Sequence, residues 1–420
     1  MSFSKVCVVG LGYIGLPTAA LMSSRGIDVV GVDINQSVVD SVNQGKVHIV
    51  EPLLDAVVQA AVGSGRLKAA TRPESADAFM IAVPTPINSE KASDMRAVLS
   101  AVDAIIPVLK AGDLVVLEST SPVGSTDRIT KRMAQARPDL RFPGPSNNGQ
   151  IDIHVAYCPE RVLPGKVIEE LVSNDRAIGG LSSACTELAI DLYKLFVEGE
   201  LVPTRAREAE LCKLAENAFR DVNIAYANEL ANVCDIQDID VWEVIRLANR
   251  HPRVNILNPG PGVGGHCIAV DPWFIVESAP NDTPVIQAAR GVNDARPHKI
   301  VEQVRASLAG LRSPVVACLG LAFKPDIDDL RESPAVDVAL NIARLSGITV
   351  LAVEPNIDQL PSRLREAGVE LVDLETALAR ADAVALLVDH KAFKESAARI
   401  AQGARVIDTR GVLPRSASVP

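Results

Sequence analysis

Short apolar runs alternate with longer amphipathic stretches along the chain, and this alternation is typical of an α/β protein. The apolar runs of the first half predict strands at 5–10, 28–32, 78–83, 114–118 and 155–157. Amphipathic stretches between them predict helices at 16–25, 95–109 and 126–136. Because strands separated by helices usually pair in parallel, we expect a parallel sheet. A stretch rich in Pro, Gly and Asn at 142–150 predicts a surface loop.

The second half opens with a helical pattern at 206–235 that contains no glycine or proline. A further helical stretch covers 284–308. Another alternating set follows, with strands at 315–319, 349–353, 383–388 and 405–408 and a helix at 335–345. We therefore predict an α/β fold with two Rossmann-like doubly wound domains joined by a long central helix. The expected domains are 1–204, 205–309 and 310–420, and the central helix is expected to form a homodimer interface.

A glycine-rich turn follows the first predicted strand directly. Gly10, Gly12 and Gly15 form the pattern G-x-G-x-x-G, and the second strand ends at Asp33. Between a strand and a helix, such glycines let a pyrophosphate approach the helix N-terminus, and the acid accepts hydrogen bonds from the adenosine ribose. Because no Lys or Arg follows Asp33 in DINQS, the sequence favours NAD over NADP.

Polar loops follow several later strands, and the carboxyl ends of strands in such a sheet face the cofactor crevice. Thr85, Thr120 and Thr126 lie in these loops, where they are either cofactor contacts or helix caps. Glu160 and Arg161 follow the strand after that. These two residues form either an ion pair or a pair of groups that position a water and a phosphate.

The helical pattern at 206–235 carries one polar stripe. Lys213, Asn217 and Arg220 recur at i, i+4 and i+7, so they share a face. The other side of the helix is predicted to be apolar and comprises Leu211, Leu214, Ala218 and Val222. Such a stripe is either a solvated face or part of a site.

Thirteen residues, GPGVGGHCIAVDP at 260–272, place one cysteine among four glycines. Asp271 follows Cys267 by four positions, so both share a face if a helical turn begins at the cysteine. Glycine lets a ligand approach closely, and aligned N–H groups would favour a thiolate. The stretch is either a reaction centre or a loop with a small buried cysteine. Local positive charge comes from Arg250, His251 and Arg253.

Composition narrows the choice of partners and compartment. The net charge of −10 disfavours nucleic acid and anionic membranes. Neither a signal peptide nor an apolar run of membrane-spanning length is visible. Seven cysteines are scattered without disulfide or zinc spacing, so we expect reducing cytoplasm and no metal site.

The first turn of the second α/β unit, at 320–334, lacks G-x-G-x-x-G, so a second dinucleotide is not expected. Lys324 and Arg331 lie in this turn, and Arg410 follows the last strand. A nucleotide with less demanding phosphate geometry would suit these cations.

Four specific motifs occur in order: GLGYIGLP at 10–17, CPERV at 158–162, GVGGHCIAVDP at 262–272 and GLAFKPDIDDLRESP at 320–334. With the polar stripe between them, the chain resembles the UDP-glucose/GDP-mannose dehydrogenase family over essentially its whole length. The resemblance implies a four-electron oxidation of a sugar C6 alcohol to a carboxylate, with two NAD and no metal.

The resemblance also implies roles for single residues. Cys267 would attack the intermediate aldehyde, and the thiohemiacetal would lose hydride to give a thioester that water hydrolyses. Lys213 and Asn217 would stabilise the oxyanion, or Lys213 would shuttle the alcohol proton. Asp271 and Glu160 would orient or activate the waters, and the sequence does not assign each acid to a step.

The resemblance completes two sets of binding residues. The substrate set is Arg161, Val162, Lys213, Asn217, Arg220, His251, Arg253, Gly264, Phe323, Lys324 and Arg410. The cofactor set, with the residues predicted above, is Gly10, Gly12, Tyr13, Ile14, Gly15, Asp33, Thr85, Thr120, Thr126 and Arg331.

Within the family, the stretches at 219–230 and 250–276 look like those of members that oxidise UDP-N-acetyl-D-mannosamine for surface polysaccharides such as enterobacterial common antigen. Members that act on UDP-glucose carry Phe and Lys where this chain has Ile268 and Val270. The expected partner is therefore a UDP-N-acetylhexosamine. Three alternatives stay open: a 6-dehydrogenase of UDP-GlcNAc, UDP-GalNAc or UDP-glucose, a two-electron hydroxyacid-type dehydrogenase, and a non-enzymatic NAD-responsive module.

Overall fold

The computed structural model describes residues 3–49, 51–144, 150–163, 165–402 and 405–413. Residues 145–149 of the predicted surface loop lie outside these ranges. Contacts within the chain define two compact units. The first comprises Met1–Glu216 and Trp273–Pro280, and the second comprises Asn217–Pro272 and Asn281–Pro420.

An eight-stranded sheet organises the first unit. Its strands are β1 Lys5–Val9, β2 Asp28–Val32, β3 Leu67–Ala70, β4 Ala78–Ile81, β5 Leu114–Leu117, β6 His154–Tyr157, β7 Arg176–Gly180 and β8 Leu201–Arg205. They lie in the order β3-β2-β1-β4-β5-β6-β7-β8, which reverses direction between β1 and β4. This reversal is the switch point at which doubly wound sheets bind nucleotides.

Two apolar cores cover the two faces of this sheet. Val6 and Val8 of β1 pack into one core, and Cys7 and Val9 pack into the other. Because both faces are covered, the strands are continuous apolar runs, and the sequence therefore reveals them. The α-helices of this unit that precede β8 are α1 Gly15–Ser24, α2 Gln36–Asn43, α3 Leu54–Gly63, α4 Arg96–Ile105, α5 Ser125–Ala136, α6 Val167–Ser173 and α7 Ser183–Tyr193.

The strands predicted for this sheet pair in parallel, as expected, but the additional strand β7 runs antiparallel to β6. The helix α6 between them has seven residues and spans only about 10 Å. The chain therefore re-enters the sheet at the edge where β6 ends. The sequence pattern also does not predict β3, β7 or β8, since LKAA, RAIGG and LVPTR lack a continuous run of β-branched or aromatic residues.

A five-stranded parallel sheet organises most of the second unit, in the order β11-β10-β9-β12-β13. The strands are β9 Val315–Leu319, β10 Thr349–Val353, β11 Glu370–Leu371, β12 Ala383–Leu386 and β13 Val406–Asp408. Val316 and Cys318 face one core, and Ala317 and Leu319 face another. The remaining helices of the chain are α8 Ala206–Gln237, α9 Val241–Ala248, α10 Asp271–Ser278, α11 Pro284–Ser307, α12 Pro334–Ala343, α13 Ser362–Glu366, α14 Leu374–Arg380, α15 Lys391–Glu395 and α16 Ala397–Ile400.

Two Rossmann-like sheets and one helix of 32 residues, α8, confirm the predicted fold class. None of the helices in the described ranges combines the length and the hydropathy that a membrane span requires. Across the same ranges, no group of three or more His, Cys, Asp and Glu side chains is arranged to hold a metal ion.

Candidate active site

The turn after β1 has a backbone shaped for close approach of a ligand. Gly10 has a φ of +97°, and a Cβ there would lie 2.5 Å from the Ala82 carbonyl oxygen. A Cβ on Gly15 would lie 1.8 Å from the Gly10 carbonyl oxygen, whereas one on Gly12 would meet nothing within 4 Å. The turn itself therefore requires Gly10 and Gly15. Gly12 leaves open space near the N-terminus of α1, as a pyrophosphate needs.

Asp33 is fixed by backbone donors at the end of β2. Its Oδ2 accepts a hydrogen bond of 3.1 Å from the Leu11 N–H, and its Oδ1 accepts one of 2.9 Å from the Asn35 N–H. Tyr13, in the turn, is 36% exposed. Ile34, which belongs to no recognised motif, is 95% exposed and offers an apolar surface of the kind on which an adenine ring packs. These residues fit an adenine dinucleotide.

Two of the three predicted threonine contacts, Thr85 and Thr126, use their hydroxyl groups within the protein. Thr85 donates to the Thr120 carbonyl oxygen. Thr126 is buried, and its hydroxyl donates to Glu210 at 2.6 Å. The Glu210 carboxylate also accepts the N–H groups of Thr126 and Gly124 at 2.8 and 2.6 Å, so it caps α5. Burial raises the pKa of Glu210 despite these donors.

Glu160 lies in a buried charge cluster at the carboxyl end of β6. Its Oε2 accepts a hydrogen bond of 2.9 Å from Arg176, and its Oε1 accepts one from the Arg161 N–H. Glu118 is also buried, and Tyr193 donates to its Oε1 at 2.6 Å. Burial raises the pKa of Glu118 to about 7, although the charge of Arg176 lowers it.

Arg161 pairs with a different carboxylate from the one beside it in sequence. Its guanidinium binds Glu216, with Nε 3.3 Å from Oε2, and lies 3.6 Å from the Cys212 Sγ. Glu160 and Arg161 thus form no ion pair with each other. Their neighbour Val162, another predicted substrate residue, is half-buried.

The polar stripe of α8 is only partly solvated. The Asn217 amide donates to Asp271 Oδ2 at 2.5 Å, and both residues are buried. Lys213 lies one turn earlier and is half-buried, whereas Arg220 is exposed. Leu211, on the predicted apolar side, is 45% exposed. Asn217 and Asp271, predicted separately, are in contact.

Cys267 begins the turn that leads into α10. Its carbonyl oxygen accepts the N–H groups of Val270 at 3.0 Å and of Asp271 at 2.8 Å. All seven cysteines lie in the described ranges, and Cys267 is the only exposed one among them. The alternative of a buried loop cysteine is therefore wrong. Burial raises the pKa of three other thiols to about 12, those of Cys7, Cys158 and Cys318.

Two glycines of this loop pack closely against the chain near β9. A Cβ on Gly264 would lie 2.4 Å from the Glu332 carbonyl oxygen and 2.6 Å from Pro334 Cδ. Gly265 has a φ of +82°, and its Cβ would lie 2.9 Å from the Phe323 ring. Neither position has room for a side chain unless the loop moves.

We expect Gly264→Ala to lower kcat by about 10²-fold, because the backbone clash displaces the loop that carries Cys267. The matched control is Gly291→Ala in α11, where a Cβ meets nothing within 4 Å. That variant keeps its activity and gains about 0.8 kcal/mol of stability from helix propensity. Steady-state rates and thermal unfolding check both, and an unchanged kcat in Gly264→Ala would contradict the packing argument.

A buried polar network holds the first residue of the loop. The Gly260 N–H donates to Asn228 Oδ1 at 2.8 Å, and the Gly260 carbonyl oxygen accepts a hydrogen bond of 3.1 Å from Arg296 Nε. Asn228 also donates to Asn293 at 2.9 Å. The sequence does not single out these residues because isolated polar residues in helices α8 and α11 have no motif, and only their burial shows their role.

A narrow cleft at the carboxyl ends of β9 and β12 contains three predicted substrate residues. Phe323, Lys324 and Arg410 line it together with Gly262 and Asp389. Arg410 Nε donates to Asp389 Oδ1 at 2.9 Å. Burial raises the pKa of Asp389, but Arg410 and Lys394 lower it further, and the net shift is downward. Cations at strand ends suit the phosphates of a nucleotide.

Other predicted ligands occupy exposed positions of the second unit. His251 and Arg253 are exposed, and His251 Nδ1 accepts the Arg253 N–H at 3.3 Å. Arg331, predicted as a cofactor contact, is exposed and pairs with Asp329 at 2.7 Å. Burial, and then the charge of Arg331, lower the pKa of His266, the residue before Cys267.

The turn after β9 is closed by a carboxylate in the place that Asp33 holds in the first unit. Glu354 Oε2 accepts the Leu321 and Ala322 N–H groups at 2.7 and 3.0 Å and lies 3.0 Å from His390 Nε2. Burial raises the pKa of Glu354, but the hydrogen bond with His390 and those from the backbone lower it overall. The hydrogen-bonding capacity of the Glu354 carboxylate is therefore used by groups of the protein itself.

Three domains of one protein family match consecutive parts of the chain. The NAD binding domain of the UDP-glucose/GDP-mannose dehydrogenase family matches residues 4–197, its central domain matches 207–295, and its UDP binding domain matches 317–415. The chain belongs to the UDP-glucose/GDP-mannose dehydrogenase family. It is an NAD-dependent dehydrogenase that acts on a UDP-sugar, and the predictions of family and cofactor are confirmed.

Relatives of this dehydrogenase align along nearly its whole length. A UDP-N-acetyl-D-mannosamine dehydrogenase from Campylobacter jejuni is 58% identical over 94% of this chain and 97% of its own. An NDP-N-acetyl-D-galactosaminuronic acid dehydrogenase from Ralstonia nicotianae is 57% identical over 98% and 97%. The solved structure of a UDP-D-ManNAc dehydrogenase from Pyrococcus horikoshii has a TM-score of 0.87 at 37% identity and covers 98% of this chain and 96% of its own.

Proposed function

We propose that this dehydrogenase oxidises the C6 primary alcohol of UDP-N-acetyl-D-mannosamine to a carboxylate, with two NAD consumed per sugar. One observation carries the mechanism: Cys267 is exposed and lies one helical turn before the buried Asp271. The name and 58% identity of the Campylobacter relative support the sugar.

The glycine turn after β1 and Asp33 would hold NAD, which would supply the hydride acceptor for each of the two oxidations. First the C6 alcohol loses a hydride and a proton and becomes an aldehyde. An aldehyde has no leaving group, so Cys267 Sγ adds to its carbonyl carbon and forms a thiohemiacetal. This adduct is again a hydride donor and keeps the aldehyde in the site. Its oxidation gives a thioester, which water hydrolyses to the carboxylate and the thiol.

Other side chains have complementary roles in this scheme. Lys213 and Asn217 stabilise the oxyanion of the tetrahedral adducts with an ammonium and an amide N–H. The hydrogen bond from Asn217 to Asp271 fixes the orientation of the amide. Glu160, held by Arg176, orients the water that hydrolyses the thioester. Each of these residues therefore positions a group or stabilises a charge that develops during the reaction.

A count of NADH tests the mechanism. Limiting UDP-N-acetyl-D-mannosamine and excess NAD are expected to yield two NADH and one uronate per sugar. One NADH per sugar, with an accumulating aldehyde or ketone, would instead support a two-electron dehydrogenase that uses Lys213 and Asn217. Tight NAD binding without turnover of any UDP-hexosamine would support a non-enzymatic module.

A second sugar is favoured by one observation. The Ralstonia relative, whose name specifies an N-acetyl-D-galactosaminuronic acid dehydrogenase, is 57% identical to this chain. UDP-N-acetyl-D-galactosamine is therefore the second candidate substrate. Comparing kcat/KM across UDP-ManNAc, UDP-GalNAc, UDP-GlcNAc and UDP-glucose decides between them, and the highest value is expected for UDP-ManNAc.

We also propose that α8 forms a homodimer interface. Phe219, Tyr226 and Val233 recur every seven residues on this helix and are 68%, 51% and 50% exposed. Residues seven apart lie on nearly the same face of a helix, so they form one apolar stripe. Two copies of such a stripe can cover each other, as the two-fold interfaces of most homo-oligomers require.

Paired substitutions, Phe219→Glu with Tyr226→Glu, are expected to convert the dimer into a monomer, because each buries charge in the interface. Val285→Glu on α11 is the control, since Val285 is 65% exposed and lies outside the stripe. Light scattering after size-exclusion chromatography gives the mass of each variant. A dimeric double variant, or a monomeric wild type, would refute this interface.

The division at 204/205 and 309/310 is likewise our proposal. Both boundaries lie between matched family domains, which end at 197 and 295 and resume at 207 and 317. We place the enzyme in the cytoplasm, where a reduced Cys267 can act as a nucleophile. We assign its uronate product to surface polysaccharides of the enterobacterial common antigen type.

A further inference from the structure

A cluster of buried ionisable groups lies at the carboxyl end of the sheet in the first unit. Each member is at most 8% exposed. The members are Glu118 after β5, Cys158 and Glu160 after β6, Arg176 at the start of β7 and Tyr193 at the end of α7. We name this set the Arg176 cluster, since Arg176 is its one cation.

Arg176 contacts two members of the cluster, Glu160 and Tyr193. It donates to Glu160 Oε2 at 2.9 Å and to the Leu171 carbonyl oxygen at 3.3 Å. Its guanidinium carbon lies 5.5 Å from the centre of the Tyr193 ring, and Tyr193 donates to Glu118 at 2.6 Å. Arg176 Nε and Glu118 Oε2 have no partner among the described residues. The hydrogen-bonding capacity of the cluster is therefore not fully used, unlike that expected of a purely structural ion pair.

The antiparallel direction of β7 explains why Arg176 reaches Glu160. The ladder pairs Ala156 with Gly180 and Tyr157 with Gly179. If this register is continued for three more residues along each strand, Glu160 lies opposite Arg176. In a parallel strand, the first residue would lie at the other edge of the sheet, far from the loops that follow the strands.

We propose that Arg176 is a positioning residue that fixes the Glu160 carboxylate, and that Glu118 and Tyr193 set how much of the Arg176 charge Glu160 receives. This inference rests on the proposed function, in which Glu160 orients the hydrolytic water. Among the described residues, Glu160 has one other hydrogen-bond donor, the Arg161 N–H. Without Arg176, a buried carboxylate would lose its counter-charge and one of these two anchors.

Glu118 makes this arrangement sensitive to pH. Burial raises its pKa to about 7, the charge of Arg176 lowers it, and the charge of Glu160 raises it. Below that pH, Glu118 carries a proton, and Arg176 is the counter-ion of Glu160 alone. Above it, Glu118 is ionised and competes for the same guanidinium. Cys158 and Tyr193 stay neutral over this pH range, because burial raises the pKa of Cys158 to about 12 and that of Tyr193 well above its usual value.

Single-turnover kinetics of Arg176→Gln and Arg176→Lys test the positioning role. With enzyme in excess, UDP-N-acetyl-D-mannosamine and NAD are mixed, and NADH, uronate and hydroxylamine-trapped thioester are measured over time. In Arg176→Gln we expect two NADH per sugar, an accumulating thioester and a release of uronate slowed about 10²-fold. Arg176→Lys keeps the positive charge but loses the planar guanidinium group. Its rate of uronate release should therefore lie between those of the wild type and of Arg176→Gln. If Arg176→Gln does not fold, Arg176→Lys alone provides the test.

The matched control is Asp113→Asn at the opposite end of β5. The Asp113 carboxylate is also buried and pairs with a cation, Lys110. It lies at the amino edge of the sheet, so its loss should lower thermal stability without slowing release of the uronate. A loss of stability in the Arg176 variants with wild-type release rates would overturn the positioning role and leave Arg176 a structural residue.

A pH series on Glu118→Gln tests the competition. The ratio of wild-type to variant release rate should fall as pH rises through about 7, the pKa of Glu118. A ratio that is constant with pH would overturn this part of the inference. Failure of the proposed function can be distinguished from failure of the positioning role. A wild-type enzyme that forms one NADH per sugar refutes the thioester route itself. Two NADH with unaffected Arg176 variants refute only the positioning role.

Discussion

The Cys267→Ser enzyme is expected to form one NADH per sugar and to slow formation of the uronate by at least about 10³-fold. A hydroxyl group is far less nucleophilic than a thiolate, so the aldehyde made in the first oxidation is not captured as an adduct. Without that adduct, there is no second hydride donor. Cofactor binding should be unchanged, because Cys267 lies outside the glycine turn after β1. NADH absorbance and trapping of the free aldehyde with a hydrazine measure both outcomes.

A second cysteine on the long helix provides the control. Cys234 is buried in the apolar cluster between α8 and α9, and its thiol has no role in the scheme. Cys234→Ser should therefore yield two NADH per sugar, with at most a modest loss of stability. If Cys267→Ser also yielded two NADH at the wild-type rate, the sulfur would not be the nucleophile. The exposed position of Cys267 before Asp271 would then no longer support the proposed function.

Hydrophobic pattern alone predicts the elements whose burial is continuous. Strands β1, β5 and β9 are covered on both faces, so their sequences are unbroken apolar runs. By contrast, β8 is mostly exposed and contains Pro203, and β7 is RAIGG, so neither stands out. The direction of β7 depends on how far α6 carries the chain, and no local pattern encodes that distance. Tertiary packing decides such strands.

The residues of the candidate site also fall into two groups, those that sequence motifs predict and those that they do not. Gly10, Gly15 and Gly264 follow from motifs because close backbone approach needs glycine at fixed spacings. The positions of Arg176 and Asn228 do not follow from any motif. Each is a polar residue whose partner lies far along the chain, at Glu160 and Gly260, and only the fold brings them into contact. Burial of a polar side chain is the signal that reveals such residues.

Removal of the Lys213 ammonium group is expected to have the second largest effect. Lys213→Ala should lower kcat by about 10²-fold, because a cation beside the developing oxyanion stabilises the transition state more than the ground state. Its position one turn before Asn217 on α8 places both side chains on one face of the helix. Lys194→Ala, at a side chain that is 63% exposed, is the control and should retain wild-type rates.

The pattern of kinetic change in Lys213→Ala separates two roles for the cation. If Lys213 only binds the phosphates of the UDP-sugar, KM rises and kcat is unchanged, because ground state and transition state are weakened equally. If it stabilises the oxyanion, kcat and kcat/KM fall together. The second outcome is expected because Lys213 shares a helix face with Asn217, which contacts Asp271 one turn after Cys267. Wild-type kcat in Lys213→Ala would remove the lysine from the chemistry and leave the oxyanion to Asn217.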